Sequence, residues 1–172
     1  MDVITFWQDL LGQAPQLLQP VVIALAGAVP FVEGEGAVVI GVLGGLHPVV
    51  AGVAAALGNF AVVALLVLAS ARTRRAVTAG RSSGGGGADD AVADPGGRSS
   101  ARRAKFQKAY ERYGVPGVSL LGPLLLPTHF TATMLAATGV GVSRVLLWQA
   151  VAIVGWTTLT ALIITGVISV VA

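Results

Sequence analysis

Residues 49–69 form an unbroken run of 21 residues in which Asn59 is the only strongly polar side chain, and the run stops directly before Ser70 and Arg72. At about 1.5 Å per residue a helix of that length covers about 30 Å, the thickness of a bilayer's hydrocarbon core. The last 28 residues, 145–172, make a second long apolar run. Only 11% of the chain is charged and 55% is apolar, whereas soluble domains carry about 25% charged residues. The sequence therefore predicts an all-α integral membrane protein forming one membrane domain over residues 1–172. With no cysteine, a disulfide scaffold, a thiolate zinc site and an iron–sulfur centre are excluded.

The remaining apolar stretches are punctuated. Residues 20–46 are divided by Pro30 and by the run Phe31-Val32-Glu33-Gly34-Glu35-Gly36 into pieces of nine and ten residues, 21–29 and 37–46. Neither piece can cross a core about 30 Å thick. This pattern predicts a re-entrant hairpin with Pro30, Gly34 and Gly36 at its turn, leaving at His47-Pro48. Residues 114–142 repeat the plan, broken by Pro116 and Pro123 and then by Pro127-Thr128-His129-Phe130-Thr131, and predict a second hairpin with Pro127 at its turn. Residues 2–14 place Val3, Ile4, Phe6, Trp7, Leu10 and Leu11 mostly on one face, the pattern of a short interfacial helix that stays in the mature chain.

Charge fixes the expected orientation. Ten of the eleven basic residues lie between Arg72 and Arg112, against four acids there, a net +6, while the rest of the chain sums to −3. A basic segment beside apolar spans marks the cytoplasmic side, which is preferred to a nucleic-acid role. The segment 70–112 is expected to be a cytoplasmic loop with a disordered Gly/Ser-rich part, followed over 102–113 by a basic helix at the membrane surface, with Phe106, Tyr110 and Tyr113 among its cations. Both termini are then outside the inner (cytoplasmic) membrane. Counting crossings makes the halves inverted: re-entrant hairpin plus transmembrane helix, once in each sense. Inverted repeats are typical of secondary transporters.

A charge at mid-bilayer costs about 3 kcal/mol on insertion scales, so Glu33 and Glu35 call for a reason. The functional reading is a proton or cation site, where low dielectric and two nearby carboxylates raise the pKa of one of them. The structural alternative is a shallow loop whose carboxylates reach water or cap helix amides. His129 occupies the matching turn of the second half and would lie close to Glu33 if the hairpin tips meet. Thr128, Thr131 and Thr133 could receive a polar head group, or bond back to their own helix. Asn59 must face protein, as a helix-to-helix hydrogen bond or as a binding residue. The proton- or substrate-binding candidates are thus Glu33, Glu35, His129, Thr128 and Asn59. Gly41 and Gly45 form a GxxxG pair suited to a close helix contact. No Walker A, HExxH or Gly-x-Ser-x-Gly pattern is present, and two distant histidines do not make a metal site. The expectation is a non-enzyme without cofactor or metal.

The residues Val29-Pro30-Phe31-Val32-Glu33-Gly34-Glu35-Gly36-Ala37, with His47-Pro48 and Leu57-Gly58-Asn59, resemble the first half of the bacterial small multidrug export protein family. Tyr113-Gly114, Pro127 and the long final helix resemble its second half. The likeness covers about residues 20–165 outside the glycine-rich segment. That family looks related to the DedA (VTT-domain) superfamily, built from opposed re-entrant hairpins and including lipid transporters. The resemblance implies that Glu33 is the acid of the first hairpin and that Asn59 and Pro127 are pattern residues. Two departures stand out: Glu35 lies where the export family has arginine, and Pro123 near where DedA proteins carry one.

These features predict a small proton-coupled exporter of a small cationic or neutral compound, using Glu33, with the lipid bilayer, protons and a small-molecule or lipid substrate as partners. It is expected to be a homodimer, because two full helices enclose two hairpins poorly. The rivals are a DedA-like lipid or polyprenyl-phosphate flippase, which should need a basic residue in a hairpin, and a structural or accessory membrane protein, which should tolerate neutralising every candidate.

Overall fold

A computed structural model describes residues 3–81 and 97–171, with side chains for residues 3–78, 108 and 110–171. Every regular element among the described residues is helical. Two of the helices are long and apolar enough to cross a membrane, over Pro48–Thr78 and Val142–Val171, with mean hydropathies of 2.3 and 2.1. The glycine-rich stretch around 84–97, expected to be disordered, lies outside the described residues but for its last position.

The first half opens with α1, Val3–Gln13, of which Leu11 is buried and Trp7 packs on the core while Val3, Ile4, Phe6 and Leu10 are exposed. Helix α2, Gln19–Gly27, starts with Pro20 in its first turn, where a missing N–H costs nothing. The chain then reverses through Val29-Pro30-Phe31-Val32. The Val29 carbonyl accepts the N–H groups of Val32 (3.2 Å) and Glu33 (3.0 Å), and Pro30 takes the second position that its fixed φ favours. Helix α3 spans Glu33–Leu43. It therefore contains Gly34 and Gly36, which the sequence placed in the turn. Only Pro30 of that set is in the turn itself.

Helix α3 ends in a Schellman arrangement: Gly45 is left-handed (φ 90°), its N–H bonds to Val42 O and the Leu46 N–H bonds to Gly41 O at 3.0 Å. The GxxxG pair is thus split between two jobs. Gly45 closes the helix, whereas a Cβ on Gly41 would press on Ala51 of the next helix, so both are used within this chain. His47 lies at the start of α4, its Nδ1 accepting the Val49 N–H at 3.3 Å.

Helix α4 runs over Pro48–Arg81, 34 residues, twelve past the end expected at residue 69. Hydropathy marks where the apolar part stops, and the alanines and arginines that follow are good helix formers that carry the helix on. Helix α5, Gly97–Leu121, likewise begins before the expected residue 102. Within it Gly114 (φ 64°, ψ −165°) breaks the helix at the boundary the sequence indicated. Tyr110 packs on the core, and Tyr113 is half-exposed with the Arg112 guanidinium 5.2 Å from its ring centre. A 3₁₀ turn, Gly122–Leu124, and Pro127 lead into α6, Thr128–Ala137. Helix α7 follows, Val142–Val171, and takes Ser143 and Arg144 into its first turn where a link was expected.

Each half therefore presents two short helical segments followed by a long helix. The packing has two apolar centres. One gathers Leu11, Ile23, Ala26, Val38, Ile40 and Ala51, and the other Val63, Val67, Val118, Leu135, Val145 and Ile153. Both rest on α4, whose fully buried stripe repeats every four residues as Ala51, Ala55, Asn59, Val63 and Val67, the spacing of one helix face. Asn59 is the member of that stripe where the two centres meet. On α7 the same spacing reads Val145, Gln149, Ile153, Thr157 and Ala161, with Ile153 in the second centre and Ala161 packed on the first. Helix α2 lies against α4 at backbone contact, since a Cβ on Gly58 would overlap the Ala24 carbonyl.

Candidate functional site

The two interrupted stretches meet through the first residues of their second helices. Glu33 opens α3 and Thr128 opens α6. The Thr128 hydroxyl donates to Glu33 Oε2 at 2.7 Å, and His129 Nδ1 stands 2.9 Å from Glu33 Oε1. Both carboxylate oxygens are thereby engaged, one by each neighbour. All three residues are buried, at 7% exposure for Glu33, 1% for Thr128 and 3% for His129. The polar interruption of the second half is therefore not a turn but the first turn of α6, with Pro127 as its N-cap residue.

Local backbone explains how Glu33 reaches across. Phe31 and Glu33 both have left-handed φ, 71° and 53°, unusual for residues with a Cβ and costing about 1–3 kcal/mol each. Pro30 and the doubly used Val29 carbonyl hold that tight reversal. On the other side, Thr131 Oγ donates to Thr128 O and Thr133 Oγ to His129 O, each at 2.9 Å, so these two threonines take the back-bonded role and not that of ligand. Two helix N-termini, whose dipoles favour negative charge, converge on one carboxylate. Glu35 is half-buried and outside this set of hydrogen bonds, two residues along α3 and so on a different helix face. Phe31 and Phe130, flanking the site in sequence, place their ring centres 6.3 Å apart.

Asn59 faces protein, as expected, but makes no helix-to-helix hydrogen bond: neither amide atom has a partner among the described residues. Thr157 Oγ1, His129 Nε2 and Gln149 Oε1 are in the same condition. Each such group costs about 1–3 kcal/mol when buried unpaired. Thr157 and Asn59 come together over Gly34, where a Cβ would collide with the Thr157 hydroxyl and lie 3.6 Å from Asn59 Nδ2. Gln149 Nε2 reaches Ser119 Oγ at 3.4 Å. A buried polar layer thus runs between the two apolar centres, from Glu33, Thr128 and His129 to Asn59 and Thr157.

Thr157, Gln149 and Ser119 were not singled out from the sequence. A threonine in an apolar helix ordinarily bonds back to its own carbonyls, and the one available signal was the four-residue spacing linking Gln149 and Thr157 to Val145 and Ala161. No cluster of three or more His, Cys, Asp or Glu side chains suited to a metal occurs among the described residues.

No protein-family model, curated protein or solved structure matches this chain.

Proposed function

We propose that the chain is a small secondary transporter of the inner membrane that exports a small, cationic compound in exchange for protons, with Glu33 as the group both compete for. In this reading α4 and α7 span the bilayer and the paired short segments are re-entrant hairpins, so the halves form an inverted repeat meeting near mid-depth. The basic end of α4 is cytoplasmic and both termini are outside. The observation that carries the reading is the Glu33–Thr128–His129 junction, a carboxylate buried between two helix N-termini and touched by a group that itself binds protons. With its proton on Nδ1 the imidazole donates to Glu33 and leaves Nε2 as a base, so the pair has room for one more proton without losing its contact. Arrival of a cation beside Glu33 would repel the added proton from the imidazole, which releases it from Nε2.

The resemblance to the small multidrug export protein family points the same way. The hairpin segments, residues 19–46 and 114–142, contain no Lys or Arg, which favours a cationic cargo over the phosphate head group of a DedA-like flippase substrate. The deciding experiment is proton-driven transport in proteoliposomes against a panel of cationic drugs and labelled lipids, comparing wild type with Glu33→Gln. Accumulation of a cation that follows the imposed gradient in wild type and is lost in the variant supports the reading. Gradient-independent lipid movement equal in both proteins overturns it.

A further inference from the structure

Resting on that reading, we propose that the groove between α4 and α7 is a side entrance that holds the apolar body of the cargo while its polar head is received by Thr157 and Asn59, so that the cargo is a single-chain amphiphilic amine. The groove has a volume of about 450 Å³ and is walled by Gly52, Val53 and Ala56 on one helix and by Val154, Thr157 and Ala161 on the other. That is within the range of small-molecule sites. Small residues leave the space: Gly52, Ala56 and Ala161 line it where larger side chains would fill it.

The walls carry no charged group, which excludes a bare ion or a sugar as the occupant and calls for an apolar body. Three threonines line the groove, Thr157, Thr158 and Thr165, and the hydroxyl of Thr157 is turned towards Gly34 of α3. Thr73, Thr133 and Thr165 each return their hydroxyl to a carbonyl four residues back, as helical threonines do. Thr157 does not. The residue is 2% exposed, and its buried hydroxyl has no partner among the described residues and stands over Gly34 beside the equally unpartnered Asn59 amide. A head that donates completes the two unpartnered oxygens, Thr157 Oγ1 and Asn59 Oδ1, and Gly34 sits next in the chain to Glu33, the acid that makes a cationic head the favoured one. The chemistry is therefore an ammonium or amine head on an apolar chain.

The test is equilibrium binding of radiolabelled dodecylamine to the full chain in lipid nanodiscs, with unlabelled dodecylamine, dodecyl phosphate and dodecyl maltoside as competitors. Saturable binding is expected, displaced well by the amine and poorly by the other two. Thr157→Val should weaken it about ten-fold, the loss of one hydrogen bond at a dry site. Thr157→Ser, which keeps the hydroxyl, should restore it, and Val154→Trp, at an exposed position on the groove wall, should abolish it. Absence of saturable binding, equal displacement by all three amphiphiles, or wild-type affinity in both Thr157→Val and Val154→Trp overturns the proposal. The two readings fail separately. If Glu33→Gln abolishes proton-driven export while the groove variants transport and bind normally, the groove is wrong and the coupling stands. If dodecylamine binding follows Thr157 and Val154 but no cargo responds to a proton gradient, the groove stands and the coupling is wrong.

Discussion

Glu33 and His129 lie 96 positions apart in the chain, yet a carboxylate oxygen of one stands 2.9 Å from a ring nitrogen of the other, and both are buried. The contact is made because Glu33 is the first residue of α3 and His129 the second of α6, each shortly after a proline, so that two helix starts are turned towards a common point. Neither residue is buried alone, which is the condition under which an acid at depth is tolerated.

The first prediction concerns that pair. Glu33→Gln keeps an acceptor for Thr128 and the size of the side chain but loses the exchangeable charge. It should insert and remain folded while gradient-driven accumulation falls at least ten-fold. His129→Asn should fall less, because Thr128 still holds the carboxylate. Initial rates in proteoliposomes, with the amount of inserted protein measured alongside, check both.

The second concerns space. In Gly34→Ala the added methyl collides with the Thr157 hydroxyl, a case of overpacking worth about 1–3 kcal/mol. Thr157→Ala removes that hydroxyl, so the double variant should recover most of the loss. Gly58→Ala meets the Ala24 carbonyl, which is backbone and cannot step aside, and no single side-chain change on α2 should rescue it. Thermal unfolding in detergent reads all four proteins.

The third concerns orientation. The chain has no native cysteine, so single replacements report cleanly. A cysteine at Thr78, on the exposed basic end of α4, should react with an impermeant maleimide only after the cells are opened. One at Val170, 86% exposed near the end of α7, should react in intact cells. The opposite pattern reverses the topology.

The fourth concerns the reversal before α3. Phe31 has left-handed φ, which glycine adopts without penalty, but its ring meets Phe130. Phe31→Gly should relieve backbone strain and lose the ring contact, so its melting temperature should stay within a few degrees of wild type. Phe130→Ala loses the contact with no such relief and should melt lower. Comparing the two separates the ring contact from the strain.

The long helices were legible because run length alone decides what can cross a bilayer, and the breaks at Pro30 and Gly114 because those residues leave few backbone options. Asn59 could be assigned to a protein-facing position since lipid offers an amide no partner. The Glu-Gly run was misread as the hairpin's turn: glycine's low helix propensity is overridden here by packing, for Gly34 has to be small beneath Thr157. The end of α4 was misplaced because hydropathy reports solvent and not backbone conformation. Thr157 was invisible for a different reason. Whether a helical threonine bonds back or points inward depends on what crosses above it, and that neighbour, Gly34, lies more than a hundred residues away in the chain.

The polar layer crossed by Asn59 separates two close-packed bodies that share α4 as a common spine. Interdigitated apolar side chains lock helices in one register, whereas short polar groups with unspent hydrogen-bonding capacity can exchange partners as surfaces shift. If the molecule alternates between two arrangements, this layer is the plane along which sliding would meet least resistance, at the standing cost in stability of its unpaired groups. Asn59→Leu should therefore melt higher than wild type and turn over more slowly, a tighter protein that has lost its slip.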